Sequence, residues 1–310
     1  MNSRDLAPAP STEPRLPEAV PGLFDVEIHR AAEDSAPWIL FEVPHGATRA
    51  DHYEALRGRL KSELPDDLEA FFHVNTDIGA PEVATATSRL LAEQGTAHAV
   101  VLRCLVPRTF IDCNRALEHP GAGAVTPGIP DYVTDSADRE HLIGLHRAYT
   151  AAAEAAYRFV CGRHGGFALN LHTFAPRSIA ITEVKSSIVD ELRAAYQPEV
   201  YPTWPMRPEV DLITRTAGDQ LLAPEALADS VRHELEGAGF QVAANQTYRL
   251  FQATMGFWHS RRHPDRVLCV ELRRDLLAET FRPFEAMTIA DQKVAAFAGP
   301  LSRAVTAVLG

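Results

Sequence analysis

The sequence contains no run of about 18 apolar residues, so nothing in it reads as a membrane span. It has no dense cluster of Lys and Arg, and its formal net charge is -11. Nucleic acid, which is held by basic patches, is therefore not an expected partner. Cysteine is scarce: Cys104, Cys113, Cys161 and Cys269 are the four, and none forms a C-x-x-C pair. They read as small buried hydrophobes in a reducing cytoplasm. There is no G-x-S-x-G elbow, no Walker A loop and no G-x-G-x-x-G fingerprint. Serine-hydrolase, P-loop and dinucleotide-binding chemistry find no support. The first residues lack the apolar stretch of a signal peptide, and their Pro, Ala and Ser content suggests a flexible tail over 1–22.

What remains is ordinary globular material. Of 310 residues, 46% are hydrophobic and 23% charged, which suits one large enzyme domain over 23–310. FDVEIHR alternates like a strand. PWILFEVPHG, AHAVVLRCLV, FALNLHTF and RVLCVELRRDLL read as buried strands, and QVAAN as a short one. DHYEALRGRLKSEL, PEVATATSRLLAEQG, REHLIGLHRAYTAAAEAAYRFVCGRHGG and APEALADSVRHELEGAGF read as helices. The stretches 121–138 and 187–206 read as long loops. Strands that alternate with helices predict an α/β fold: a mostly parallel mixed sheet with helices on both faces. In such sheets, sites form beyond the carboxyl ends of the strands. His45, Asn114, Arg115, His172 and Glu271 all fall at or just past predicted strand ends.

Polar side chains that interrupt apolar strands need partners or metal, because burying a charge or an imidazole is costly. His45 follows ILFEVP, and His172 sits inside FALNLHTF. Each is either a satisfied core histidine or a ligand, and 13 histidines make coincidence a competitor. A hydrolytic zinc site has three protein ligands and one open position. Among Asp51, Asp77 and Glu82, Asp77 is the first choice for the third; Glu82 stands at a helix start, where the helix dipole alone favours a carboxylate. Glu271 interrupts VLCVEL. It either pairs with Arg273 or Arg274, or serves as a general base with a raised pKa. Arg115 either pairs with Asp112 or clamps a substrate carboxylate.

Taken together, VPHG, VNTD, PRTFIDCNR, NLHT and CVELRR resemble the N-formylglutamate amidohydrolase family, over roughly Phe41 to Leu277. That family looks like a branch of the zinc carboxypeptidase fold (phosphorylase/hydrolase-like). Its Asp-x-Asn-Arg is matched by Asp112-Cys113-Asn114-Arg115. The resemblance implies one zinc ion, or another divalent metal, on His45, Asp77 and His172. It implies Glu271 as the base, Asn114 and Arg115 as a carboxylate clamp, and Arg108 as an oxyanion donor, a role that Arg115 could take instead with Arg108 in the clamp. His146 and Tyr248 match residues near the substrate. Two positions depart from the pattern. Asn170 stands where the family has Asp, and Tyr248-Arg249-Leu250-Phe251 replaces a segment ending in two glycines, so a pocket of different shape is expected.

The expected activity is hydrolysis of an amide bond in an N-acyl amino acid or similar small carboxylate. The alternatives are a carboxypeptidase-like hydrolase of a peptide or biosynthetic intermediate, and a non-catalytic binding protein on the same fold.

Overall fold

WILFEV and FALNLHTF are apolar on both sides, and such strands belong in the middle of a sheet covered on both faces. In the computed structural model, which describes residues 13–118, 127–181 and 183–309, they lie at its centre. They are β2 (Trp38–Val43) and β4 (Phe167–Phe174), paired in parallel. β3 (His98–Cys104) runs parallel to β2 on one side, and β7 (Val267–Arg273) parallel to β4 on the other. β1 (Phe24–His29) closes one edge antiparallel to β3. β5 (Val210–Ile213) lies antiparallel to β7, with β6 (Val242–Ala244) parallel to it at the far edge. The order is β1-β3-β2-β4-β7-β5-β6, and the sheet is mixed but mostly parallel, as expected.

Successive strand residues face opposite sides, so the central strands feed two cores. Leu40, Val100, Leu102, Ala168 and Val267 belong to one. α1 (Ala50–Arg57), α2 (Leu68–Asn75), α4 (Ser136–Tyr157) and α5 (Ile188–Ala195) contribute to that core. Ile39, Phe41, Val101, Leu169, Leu171 and Val270 face the other way, onto α3 (Ala80–Glu93), α6 (Glu225–Gly237) and α8 (Asp291–Leu309). α7 (Met255–Arg262) packs beside β7.

Three expectations need adjustment. The stretch 187–206 is not all loop: α5 occupies its first part and buries Ile188, Val189, Leu192 and Ala195. Eight residues followed by prolines carry too little periodicity to stand out. The long helix ends its α-helical hydrogen bonding at Tyr157 and continues as a π-helical turn, Arg158–Arg163. Its start is set by Asp135, whose side chain accepts from the backbone N–H of Ala137 and Asp138. The loop expected at 121–138 lies partly outside the described residues, as does the tail over 1–12. Within the rest of that tail, Leu16 packs on the first core and Glu13 pairs with Arg163 at 3.2 Å.

The second core predicts its own sensitivity. Phe297 is fully buried and stacks on Phe240 with ring centroids 4.1 Å apart. Phe297→Ala is expected to cost about 3–5 kcal/mol in urea unfolding.

Candidate metal centre and active-site cavity

β2 ends at Val43, and the turn Pro44-His45-Gly46 follows. Only glycine fits at 46: a Cβ there would meet Arg103 Cγ at 2.4 Å and the Cys104 carbonyl at 3.0 Å. Arg103 instead donates to the Gly46 carbonyl at 2.7 Å, which pins the turn. The connection from α2 to α3 is tied to the same turn. Thr76 Oγ1 donates to the Ala47 carbonyl at 2.7 Å, and the Asp77 N–H to the His45 carbonyl at 3.4 Å. Gly79, at φ +93°, then turns the chain into α3. His172 comes from β4 and stands directly beside Glu271 of β7 in the parallel register.

These three segments bring His45, Asp77 and His172 together. Asp77 Oδ2 lies 3.1 Å from His45 Nδ1 and 2.9 Å from His172 Nδ1. All three residues are buried, and their potential ligand atoms lie within 4.8 Å of one another. Two donors each bound to one zinc at about 2.0–2.1 Å in tetrahedral geometry sit roughly 3.3 Å apart, so the set fits such an ion. Glu82 does not join the group; it is half-buried in the first turn of α3.

Each imidazole has a second partner. His45 Nε2 meets Asp112 Oδ1 at 2.7 Å, and His172 Nε2 meets Asn170 Oδ1 at 2.7 Å. Hydrogen bonds of this kind fix ring orientation and tautomer in metal sites. Asp112 also holds Arg108, at 2.9 Å, and Arg115, at 3.5 Å. Burial alone would raise the Asp112 pKa, but Arg115, Arg108 and His45 hold it well below the usual carboxylate range. The same balance applies to Asp77: burial opposes ionisation, and the two imidazoles overcome it. Arg274 reaches Asp77 Oδ1 at 4.0 Å from the far side and donates to the Val74 and Thr173 carbonyls.

Glu271 behaves differently. Burial is the largest influence on it, Asp77 adds to that, and His172 and Arg207 oppose it; its carboxyl is pushed up to about 7. Neither neighbouring arginine pairs with it. Arg273 binds Asp275 at 2.9 Å and Glu209 at 3.6 Å, and Arg274 turns to Asp77. Among the described residues Glu271 has no ion pair or side-chain hydrogen bond, and it faces a cavity of about 440 Å³. His45, Asp77, Arg108, Asn114, Arg115, His172 and Tyr248 line the same cavity.

One expected residue is elsewhere. His146, read as a substrate contact, does not line the cavity; it is buried on α4, and its ring N–H donates to the Arg115 carbonyl at 2.7 Å. It braces the arginine loop from behind. Arg207, which gave no signal in its Pro-rich stretch, does line the cavity. It donates to Ser178 Oγ and Tyr248 Oη and lies against the Phe174 and Tyr248 rings.

A family model described as N-formylglutamate amidohydrolase matches residues 38–278, and so spans every residue of this cluster. The chain belongs to that family. The N-formylglutamate amidohydrolase of Ralstonia eutropha JMP134 has a similar structure, with a TM-score of 0.58 at 19% identity, over 93% of this chain and 97% of that one. A gene product of Agrobacterium tumefaciens gives a TM-score of 0.53 at 21% identity, over 92% and 94%. These two likenesses show that the fold is shared. A succinylglutamate desuccinylase of Vibrio parahaemolyticus matches with a TM-score of 0.45 at 10% identity, over 91% and 61%. No curated protein matches at a significant level.

The Glu271 environment has a sign that can be measured. Its folded pKa is above the unfolded one, so its contribution to stability is full below about 4.5 and is lost as the pH rises through about 7. In metal-free protein, Glu271→Gln is expected to raise the melting temperature relative to wild type more at pH 8 than at pH 4.5. A pH-independent difference would mean that Glu271 is not held in this environment.

Proposed function

We propose that the protein is a metal-dependent hydrolase of amide bonds in N-acyl amino acids. The observation that carries this reading is an unpaired Glu271 on the strand next to His172, in a cavity shared with the His45–Asp77–His172 group. In this reading His45 Nδ1, Asp77 Oδ2 and His172 Nδ1 hold one divalent ion. Zinc suits the donor set best, though other metals accept it too. The ion would supply Lewis acidity, lowering the pKa of water and polarising the carbonyl.

The chain's own groups supply the rest. Glu271 takes the proton of the attacking water and passes it to the departing amide nitrogen. Its raised pKa suits both halves of that task. Arg108, fixed by Asp112, donates to the oxyanion that develops on the carbonyl oxygen. Asn114 and Arg115 grip the substrate carboxylate, with Tyr248 beside them. Water adds across the C–N bond, releasing a carboxylate and an amine. The folded segment over 23–310 acts as one catalytic domain, and no helix among the described residues is long and apolar enough to cross a membrane. Four free, buried cysteines suit the cytoplasm.

A second reading, a larger acyl group or a short peptide, is favoured by the cavity wall. Phe71, Val74, Ile181, Val184, Ile188 and Leu192 make an apolar side that a formyl group would leave empty. Each methylene buried there contributes about 0.8 kcal/mol, close to fourfold in binding.

Two measurements separate these outcomes. Glu271→Gln should retain one metal ion per chain by elemental analysis while kcat falls about 10²–10⁴-fold; full turnover would remove the base assignment. Across N-formyl, N-acetyl, N-butanoyl and N-glycyl derivatives of one amino acid, kcat/KM should rise with acyl size. A strict preference for formyl would eliminate the larger-substrate reading, and no turnover of any member, with metal bound, would count against both.

A further inference from the structure

β2 is apolar except for one residue. Glu42 is 1% exposed, in the middle of the sheet, and the mechanism above gives it no task. A carboxyl so placed must be fully hydrogen-bonded. Three donors meet it. Tyr149 Oη donates to Oε1 at 2.9 Å, Tyr157 Oη to Oε2 at 2.8 Å, and Asn170 Nδ2 to Oε2 at 2.7 Å. The two tyrosines come from α4, and Asn170 from the neighbouring strand β4.

An amide has a donor end and an acceptor end. With Nδ2 committed to Glu42, Asn170 must present Oδ1 on its other side. There it meets His172 Nε2 at 2.7 Å. A ring nitrogen that faces a carbonyl oxygen bonds to it only when it carries the hydrogen. His172 therefore carries hydrogen on Nε2, and Nδ1, which donates to Asp77 Oδ2 at 2.9 Å, is the nitrogen left to exchange its hydrogen for an ion. Asn114 Nδ2 lies 3.4 Å from the same Nε2 and would favour the opposite tautomer. The shorter contact, backed by a buried carboxyl, decides. His45 reaches the same state more directly, because Asp112 accepts from its Nε2 without an intermediary.

We propose that Glu42 is a positioning residue for the metal centre: acting through Asn170, it keeps hydrogen on His172 Nε2, so that Nδ1 is the nitrogen that gives up its hydrogen and binds the ion. The proposal rests on reading His45, Asp77 and His172 as ligands. Without an acceptor at 42, the Asn170 amide has no preferred orientation. Half of its choices put a donor against His172 Nε2 and place the ring hydrogen on Nδ1, where the ion must bind. Partners one step behind a metal ligand are typically worth 10–100-fold in metal affinity.

The test uses the full-length protein, with zinc affinity measured by chelator competition and the His172 tautomer by nitrogen-15 NMR of metal-free protein. Glu42→Leu removes the acceptor and should weaken zinc 10–100-fold, with a form of His172 that has lost the hydrogen on Nε2 appearing in the spectrum. Glu42→Gln can still accept from Asn170 and Tyr157 through Oε1 and donate to Tyr149, so it should stay within about threefold of wild type. If Gln is as damaging as Leu, charge rather than amide orientation matters, and the proposal fails. Asn170→Leu should weaken zinc as Glu42→Leu does, and the double variant should be no worse than either. Additive losses would show that Glu42 does not act through Asn170. Should Glu42→Leu not fold, Asn170→Leu decides alone: wild-type zinc affinity and an unchanged tautomer would overturn the proposal. The tautomer is read without metal, so it stays informative even if wild-type protein binds no zinc and the metal reading falls.

Discussion

Asp77 Oδ2 sits between two imidazole Nδ1 atoms with almost no water around it. A single carboxylate in that position must satisfy both rings, and both must offer it the same kind of nitrogen. Much of the surrounding structure follows from that demand. Gly46 lets the His45 turn lie flat against Arg103, Thr76 ties the Asp77 connection to the same turn, and Arg274 closes the carboxylate from behind. The outer nitrogens of the two rings are engaged by Asp112 and Asn170. A cluster held this way has its electrostatics set before any ligand arrives, which is what preorganised catalysis requires.

The central strands were legible in the sequence because they are apolar without alternation, and a side chain that broke the run stood out. His45, His172 and Glu271 were visible for that reason, and Asp77 followed from its place after FFHVN. Position alone did not show whether Glu271 pairs with Arg273 or Arg274; that depended on where the two arginines turned, which is a matter of tertiary geometry. Glu42 breaks WILFEV in the same way as His172 breaks its own strand. Its partners lie more than a hundred residues away on α4 and β4, so the run alone gives it no role. β5 is four residues long and lies near prolines, and α5 is eight, so neither has enough length for a period to show. His146 was placed in the right neighbourhood but on the wrong side of Arg115, since a helix pattern does not reveal which loop its polar residue supports.

The family match over 38–278 takes in both the residues at the carboxyl edge of the central strands and the cavity walls, which come from α2, α5 and the segments around Arg207 and Tyr248. Asp112 links the two sets, because it orients His45 and holds both Arg108 and Arg115. His45 and the two arginines therefore share one carboxylate, and a change there would disturb all three.

The strand order also bears on how the protein reaches this state. β2 and β4 are neighbours, yet more than a hundred residues separate them in the chain, and β7 joins only after a further stretch of comparable length. No short fragment contains even two of the three residues of the His–Asp–His cluster together with Glu271. Loops of this length must close before the site exists, and folds built from such distant pairings assemble slowly. An ion held by this cluster would therefore find no early template on which to nucleate the chain; it could only reward a sheet already formed, drawing the whole domain toward its native state by mass action.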